Sequence, residues 1–153
     1  MIPAPLAVLP PAEFDFFRPR PDFVKWMRGF ASGSLVIDAG AGAGAFVRVL
    51  EGEGVKAVGL DIRPSLDVPR IQMADAQTFP YVSGVVVTLC RPCHGGWAPE
   101  TARRALEAGA EVIYVGLDRN LGIDVDSHPA LSRTLQFTGA GIAGENAHLL
   151  SLA

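Results

Sequence analysis

The sequence predicts an α/β fold: a three-layer sandwich on a mainly parallel seven-stranded sheet, with a C-terminal antiparallel hairpin and trimmed flanking helices. Three observations predict it. Short apolar runs rich in β-branched residues alternate with segments of helical period, as in a parallel sheet buried on both faces. The first run, Leu35 to Ile37, opens into a glycine-rich turn, and the next run, Val55 to Leu60, is closed by Asp61. The last segments, Leu135 to Thr138 and His148 to Leu152, face each other across Gly139–Asn146 and read as a hairpin instead of a further β/α unit.

Each element has its own local reason. Pro21 suits a first helical turn, and Phe23, Trp26, Met27 and Phe30 recur at helical spacing until Ser32-Gly33. Ala43 to Leu50 carries Phe46, Val47 and Leu50 on one side and is ended by Gly52 and Gly54. Ile71 to Ala74 is a third strand, and Gly84 to Leu89 a β-branched, central fourth. The connections around the third strand are too short for full helices. Ala98 to Ala108 reads as a helix with Pro99 in its first turn, Glu100 and Arg104 four apart and Gly109 at its end. Glu111 to Leu117 is the fifth strand, and Ser127 with Pro129 predicts a short helix reaching about Arg133.

With 153 residues, 49% apolar and 19% charged, the chain is one folded domain with a substantial core. A net charge of −3 argues against a dedicated nucleic-acid binder. Arg18, Arg20, Lys25 and Arg28 could contact phosphate, but a solvated helix face is the commoner meaning of such a cluster. No run reaches the roughly 18 apolar residues of a membrane helix. Residues 1–20 read as a proline-rich arm and 21–153 as the domain. Prolines 3, 5, 10 and 11 and the lack of a basic start speak against a signal peptide, and two cysteines three apart are no disulfide framework, so a cytoplasmic setting is expected.

The stretch around the glycines carries the chemistry. Glycines let the backbone turn tightly and approach a ligand, and an acid at the carboxyl edge of a parallel sheet sits where such folds bind ligands. Gly40, Gly42, Ala45 and Asp61 satisfy the nicotinamide fingerprint G-x-G-x-x-G/A with an acid about 20 residues on. Asp38, Gly40, Gly42 and Gly44 match D/E-x-G-x-G-x-G in full. On those residues the chain resembles the class I, Rossmann-like methyltransferases that use S-adenosylmethionine (SAM). The acid two places before the first glycine separates the readings. A pyrophosphate close by disfavours it, whereas SAM carries a sulfonium and an ammonium.

The resemblance implies a methyltransferase whose cofactor is SAM. It implies a cofactor site of Asp38, Gly40, Ala41, Gly42 and Gly44 from the first strand and its turn. Asp61 would hold the ribose, with Ile62 beside it, and Asp75 the adenine amino group, with Ala76 beside it; Cys90 would complete the site at the end of strand four. The lead-in Asp15-Phe16-Phe17-Arg18-Pro19 resembles the segment that contacts the methionine end in DNA amino-methyltransferases. After strand four, amino-methyltransferases carry Asn/Asp-Pro-Pro-Tyr/Phe to orient the target amine. Here Cys90-Arg91-Pro92-Cys93 stands in that place, and only Pro92 is kept.

Cys90-x-x-Cys93-His94 has further readings. It spells the haem-attachment motif, without the export that such attachment requires. Cys90, Cys93 and His94, with His128 more distant, could ligate zinc, but adjacent residues of an extended chain point apart. A redox dithiol would begin a helix, and the helix here begins later. The commonplace reading is a buried Cys90 and an exposed Cys93-His94. As a functional element the segment is a pocket wall, with Cys90, Cys93 and His94 the candidate catalytic residues, His94 as general base, and no metal expected. The acceptor would be a small molecule or be presented by a partner protein. A catalytically inactive SAM-binding protein, an NAD- or nucleotide-binding module, and a structural subunit tethered by the arm are the alternative functions.

Overall fold

The computed structural model describes residues 17–42, 44–62, 70–92, 97–117 and 130–152. Seven strands form one sheet in the order β3-β2-β1-β4-β5-β7-β6. β4 (Val86–Cys90) lies at its centre, and β1 (Val36–Ala39) runs parallel between it and β2 (Ala57–Asp61). β3 (Ile71–Met73) extends β2 and β5 (Glu111–Gly116) extends β4, both parallel. β7 (Asn146–Leu152) inserts antiparallel between β5 and β6 (Leu131–Phe137). The strand order therefore reverses at β1, which opens a crevice at the carboxyl edge between β1 and β4.

Helix α1 (Pro21–Ala31) and helix α2 (Ala45–Gly52) cover one face and helix α3 (Trp97–Glu107) the other. α1 begins on Pro21 and ends where Ser32 turns left-handed at φ 49°, its N–H bonded to the Arg28 carbonyl. It buries Phe23, Val24, Met27 and Ala31, and Phe23 stacks on Phe46 of α2 at 6.3 Å between centroids. The fully buried apolar side chains at the middle of α3 are small, Ala98, Ala102 and Ala105, which lets it lie close to Val87, Leu89 and Val112, while Trp97 and Leu106 pack at its ends. Strand alternation divides the core: Val36, Val86, Ile113 and Val115 face α1 and α2, while Ile37, Val87, Val112 and Tyr114 face α3.

The expected strands, helices and hairpin form, with ends displaced by at most two residues, except that β6 begins four residues early. The short helix expected to reach Arg133 does not continue there. Leu131, Ser132 and Arg133 open β6, paired with Leu152, Ser151 and Leu150, and Leu131 is buried under α3. Cross-strand pairing and that burial override the local proline signal. Its first residues, 127–129, lie outside the described residues. Glu100 pairs with Arg103, which also bonds Glu107 at 2.7 Å, so the expected Glu100–Arg104 pair is replaced by its neighbour. The link from β3 to β4, residues 74–85, contains turns and no helix, the trimming expected from its length. Among the described residues no helix is long and apolar enough to cross a membrane.

Candidate functional site

The turn after β1 is stitched to the end of β2. Gly40 and Ala41 both donate their N–H to the Leu60 carbonyl, at 2.8 and 2.9 Å, and the Gly42 N–H donates to Asp61 Oδ2 at 2.8 Å. The turn thereby orients the Asp61 carboxylate, and three successive amides are spent on β2. Gly40 takes φ +74°, and a Cβ added there would stand 2.8 Å from the Trp97 ring. A glycine at this position thus lets the first residue of α3 lean across the turn.

These parts enclose a cavity of about 400 Å³ at the carboxyl edge of β1 to β4, within the roughly 300–1,000 Å³ of small-molecule sites. Gly40 and Trp97 form one wall, Leu60, Asp61 and Ile62 the second. Ala74 to Gln77 form the third, and Arg91 and Pro92 the fourth. Asp75 also shapes its own turn: Oδ1 accepts the Gln77 N–H at 2.9 Å, and its carbonyl accepts the N–H groups of Thr78 and Phe79 at 3.1 and 3.0 Å. Both readings of Asp75, loop cap and cavity residue, therefore hold together. At the fourth wall the chain leaves the sheet through Arg91 at φ +48°, a conformation that costs a non-glycine residue on the order of 1–3 kcal/mol. The Arg91 N–H bonds the Val115 carbonyl at 2.7 Å, and its Nε lies 3.5 Å from Glu145, whose side chain is 1% exposed.

Asp38 does not line the cavity. Alternation along β1 turns it toward the α1–α2 face, and the β1–β4 register sets it opposite Thr88. Thr88 Oγ1 donates to Asp38 Oδ1 at 2.7 Å, and the Cys90 thiol bonds the same carboxyl. Burial lifts the Asp38 pKa from 3.8 to about 7; the Thr88 and Cys90 hydrogen bonds restrain the rise and the Asp61 charge adds to it. Burial, then the Asp38 charge, pushes the Cys90 thiol well above its ordinary range. Cys90 is thus a protonated partner of Asp38, a poor nucleophile in this setting.

Of the residues expected at the site, Gly40, Asp61, Ile62, Asp75 and Ala76 meet around the cavity, while Ala41, Gly42 and Gly44 build the turn behind it. Cys93, His94 and His128 lie outside the described residues, as do Asp15 and Phe16. Phe17 packs in the core between Phe23 and Phe46 and is not a cavity residue. Among the described residues no cluster of three or more His, Cys, Asp or Glu is placed to hold a metal. Arg28 is paired with Glu53 at 3.0 Å and Arg20 lies 3.9 Å from Asp22, which occupies half of the basic cluster with acids. Leu60, Ala74, Gln77, Arg91, Pro92 and Trp97 were not expected as cofactor residues. Arg91 and Pro92 follow a recognisable strand end and were legible by position; Trp97 has no local signal.

No protein-family model matches the sequence, and no curated protein matches it. Solved structures do match. A SAM-dependent methyltransferase from Bacteroides fragilis, in complex with S-adenosylhomocysteine, is 10% identical with a TM-score of 0.60, covering 93% of this chain and 81% of its own. The 23S rRNA methyltransferase ErmE is 15% identical with a TM-score of 0.58, covering 90% and 70%. The 1,6-didemethyltoxoflavin-N1-methyltransferase of Burkholderia thailandensis is 11% identical with a TM-score of 0.56, covering 86% and 76%. At such identities the likeness speaks for architecture alone. With its reversed strand order and terminal antiparallel hairpin, the chain has the Rossmann-like fold of the class I SAM-dependent methyltransferases.

Proposed function

We propose that the chain binds SAM in the cavity and transfers its methyl group to an acceptor. One observation carries the reading: the amides of the glycine turn are bonded to β2, and the turn holds the Asp61 carboxylate at the cavity wall. A pyrophosphate-binding turn offers those amides to its ligand. This turn instead presents an acceptor-only carboxylate, suited to ribose hydroxyls and to a cationic ligand. Asp75 adds a second carboxylate, and Arg91, the one cation of the cavity wall among the described residues, faces the buried Glu145. This donor and acceptor set fits SAM and is ill suited to NAD.

When bound, SAM supplies an electrophilic methyl carbon. In this reading Asp61 orients the ribose, Asp75 and Ala76 the adenine, and Ile62 covers the base. Residues 21–153 are the SAM-binding domain and 1–20 an arm. Arg91 and Pro92 bound the acceptor side. Cys90, turned to Asp38, offers no oxygen to orient an amine, so the acceptor is a small molecule or group that brings its own nucleophile, free or presented by a partner protein. Methyl transfer then depends on alignment and exclusion of water more than on a catalytic side chain. A cytoplasmic setting agrees with Cys90 being a free thiol. Thermal denaturation with SAM, S-adenosylhomocysteine and NAD tests the reading. SAM and S-adenosylhomocysteine should each stabilise the chain by about 2.7 kcal/mol at a hundredfold excess over Kd. Stabilisation by NAD alone refutes it. Methyl transfer is then sought with labelled SAM and a panel of small acceptors.

A further inference from the structure

The third cavity wall lies at the edge of the sheet. It follows β3, an edge strand of three residues paired on one side with β2, and two of those three residues are exposed. Its turn is held from within by the Asp75 carbonyl and carboxylate. Its start is tied to β2 by the Ala74 N–H, which donates to the Asp61 carbonyl at 3.1 Å, and its middle is tied to the core by Ala76 and by Tyr81. The phenol hydroxyl donates to the Ala76 carbonyl at 2.8 Å, and the ring is 7% exposed in the core beneath α3, edge-on to Phe79 at 5.2 Å. Ala76 stands between the two side chains that this turn brings to the cavity, Asp75 and Gln77.

We propose that Tyr81 is a positioning residue that sets the base selectivity of the site: by anchoring Ala76 it holds Asp75 where an acceptor-only group distinguishes a 6-aminopurine from a 6-oxopurine. The inference rests on the SAM reading above. An amino group donates to the carboxylate, whereas an oxo group at the same place confronts it with a second acceptor, so discrimination depends on how firmly the carboxylate is held. An edge strand of three residues does not supply that firmness, and a buried phenol, with few rotatable bonds and a packed ring, does.

The experiment measures calorimetric affinities of the full chain for S-adenosylhomocysteine and for its inosyl counterpart, which carries oxygen in place of the ring amino group. The wild type should prefer the adenosyl compound by about a hundredfold. Tyr81→Phe keeps the ring and removes one hydroxyl. It should weaken the adenosyl compound about tenfold, the value of one hydrogen bond, and change the inosyl compound less than twofold. In an Asp75→Asn background the same change should leave the selectivity ratio unaltered, because Tyr81 acts through Asp75. Equal losses for both compounds would mark Tyr81 as merely structural and overturn the inference, as would an unchanged ratio or an equal narrowing without Asp75. If the wild type binds neither compound, the SAM reading itself fails and this inference falls with it. If it binds and the ratio does not move, only the inference fails.

Discussion

Asp38 makes the fold's stability depend on pH in a direction opposite to that of most carboxylates. It is 4% exposed, and its donors, Thr88 at 2.7 Å and the Cys90 thiol, do not offset the loss of water. The unfolded chain releases this proton near 3.8 and the folded chain near 7. Between those values the native state binds a proton that the unfolded state does not, so stability falls as pH rises. The contribution is fully present below the unfolded value and lost as pH passes through about 7. Each pH unit in that window is worth ~1.4 kcal/mol, which gives an upper bound on the order of 4 kcal/mol. Asp38→Asn removes the titration and keeps an oxygen for the Thr88 hydroxyl. Urea denaturation of both proteins at pH 5, 6, 7 and 8 isolates the effect, since the groups that do not interact with Asp38 titrate alike in the two and burial keeps the Cys90 thiol protonated throughout. From pH 5 to pH 8 the wild type should lose on the order of 3 kcal/mol relative to the variant. Parallel stability curves would mean that Asp38 ionises in the fold as it does in water, and the burial argument would be wrong.

Two further outcomes follow from the cavity. Asp61→Ala should weaken SAM binding by about tenfold or more while the chain stays folded, since the carboxylate's bond to the Gly42 N–H is at the half-exposed edge; an unchanged Kd by calorimetry removes Asp61 from the site. Glu145→Ala removes the buried carboxylate from the Arg91 guanidinium, 14% exposed, and takes the acceptor from the Ala143 N–H. It should cost about 3–5 kcal/mol in urea denaturation, and a loss below about 1 kcal/mol would mean that the pair is solvated as on a surface.

Much of this molecule is written in local pattern. Val36, Ile37, Val86, Val87 and Ile113 are short β-branched runs because their strands are covered on both faces, and burial of that kind leaves its mark in the sequence without reference to partners. The glycines and the two acids at strand ends are equally legible, because a tight turn excludes side chains and a sheet edge is a fixed place for a polar group. Composition and period thus determined the fold class and the succession of strands and helices, the glycine motif marked the Gly40 and Asp61 corners of the cavity, and the family resemblance pointed to Asp75.

Tertiary structure decided what depends on register and on contacts between distant segments. Asp38 stands in the glycine motif, yet alternation along β1 and its pairing with Thr88 turn it into the core, so the same residue reads as a ligand by spacing and as a buried, titrating group by geometry. β6 begins at Leu131 because β7 is there to pair with it, against a local helix signal. Trp97 meets Gly40 across 57 residues, and Glu145 reaches Arg91 across 54. Such contacts are settled by how helices and strands pack, and a pattern that repeats every two or 3.6 residues carries no record of them.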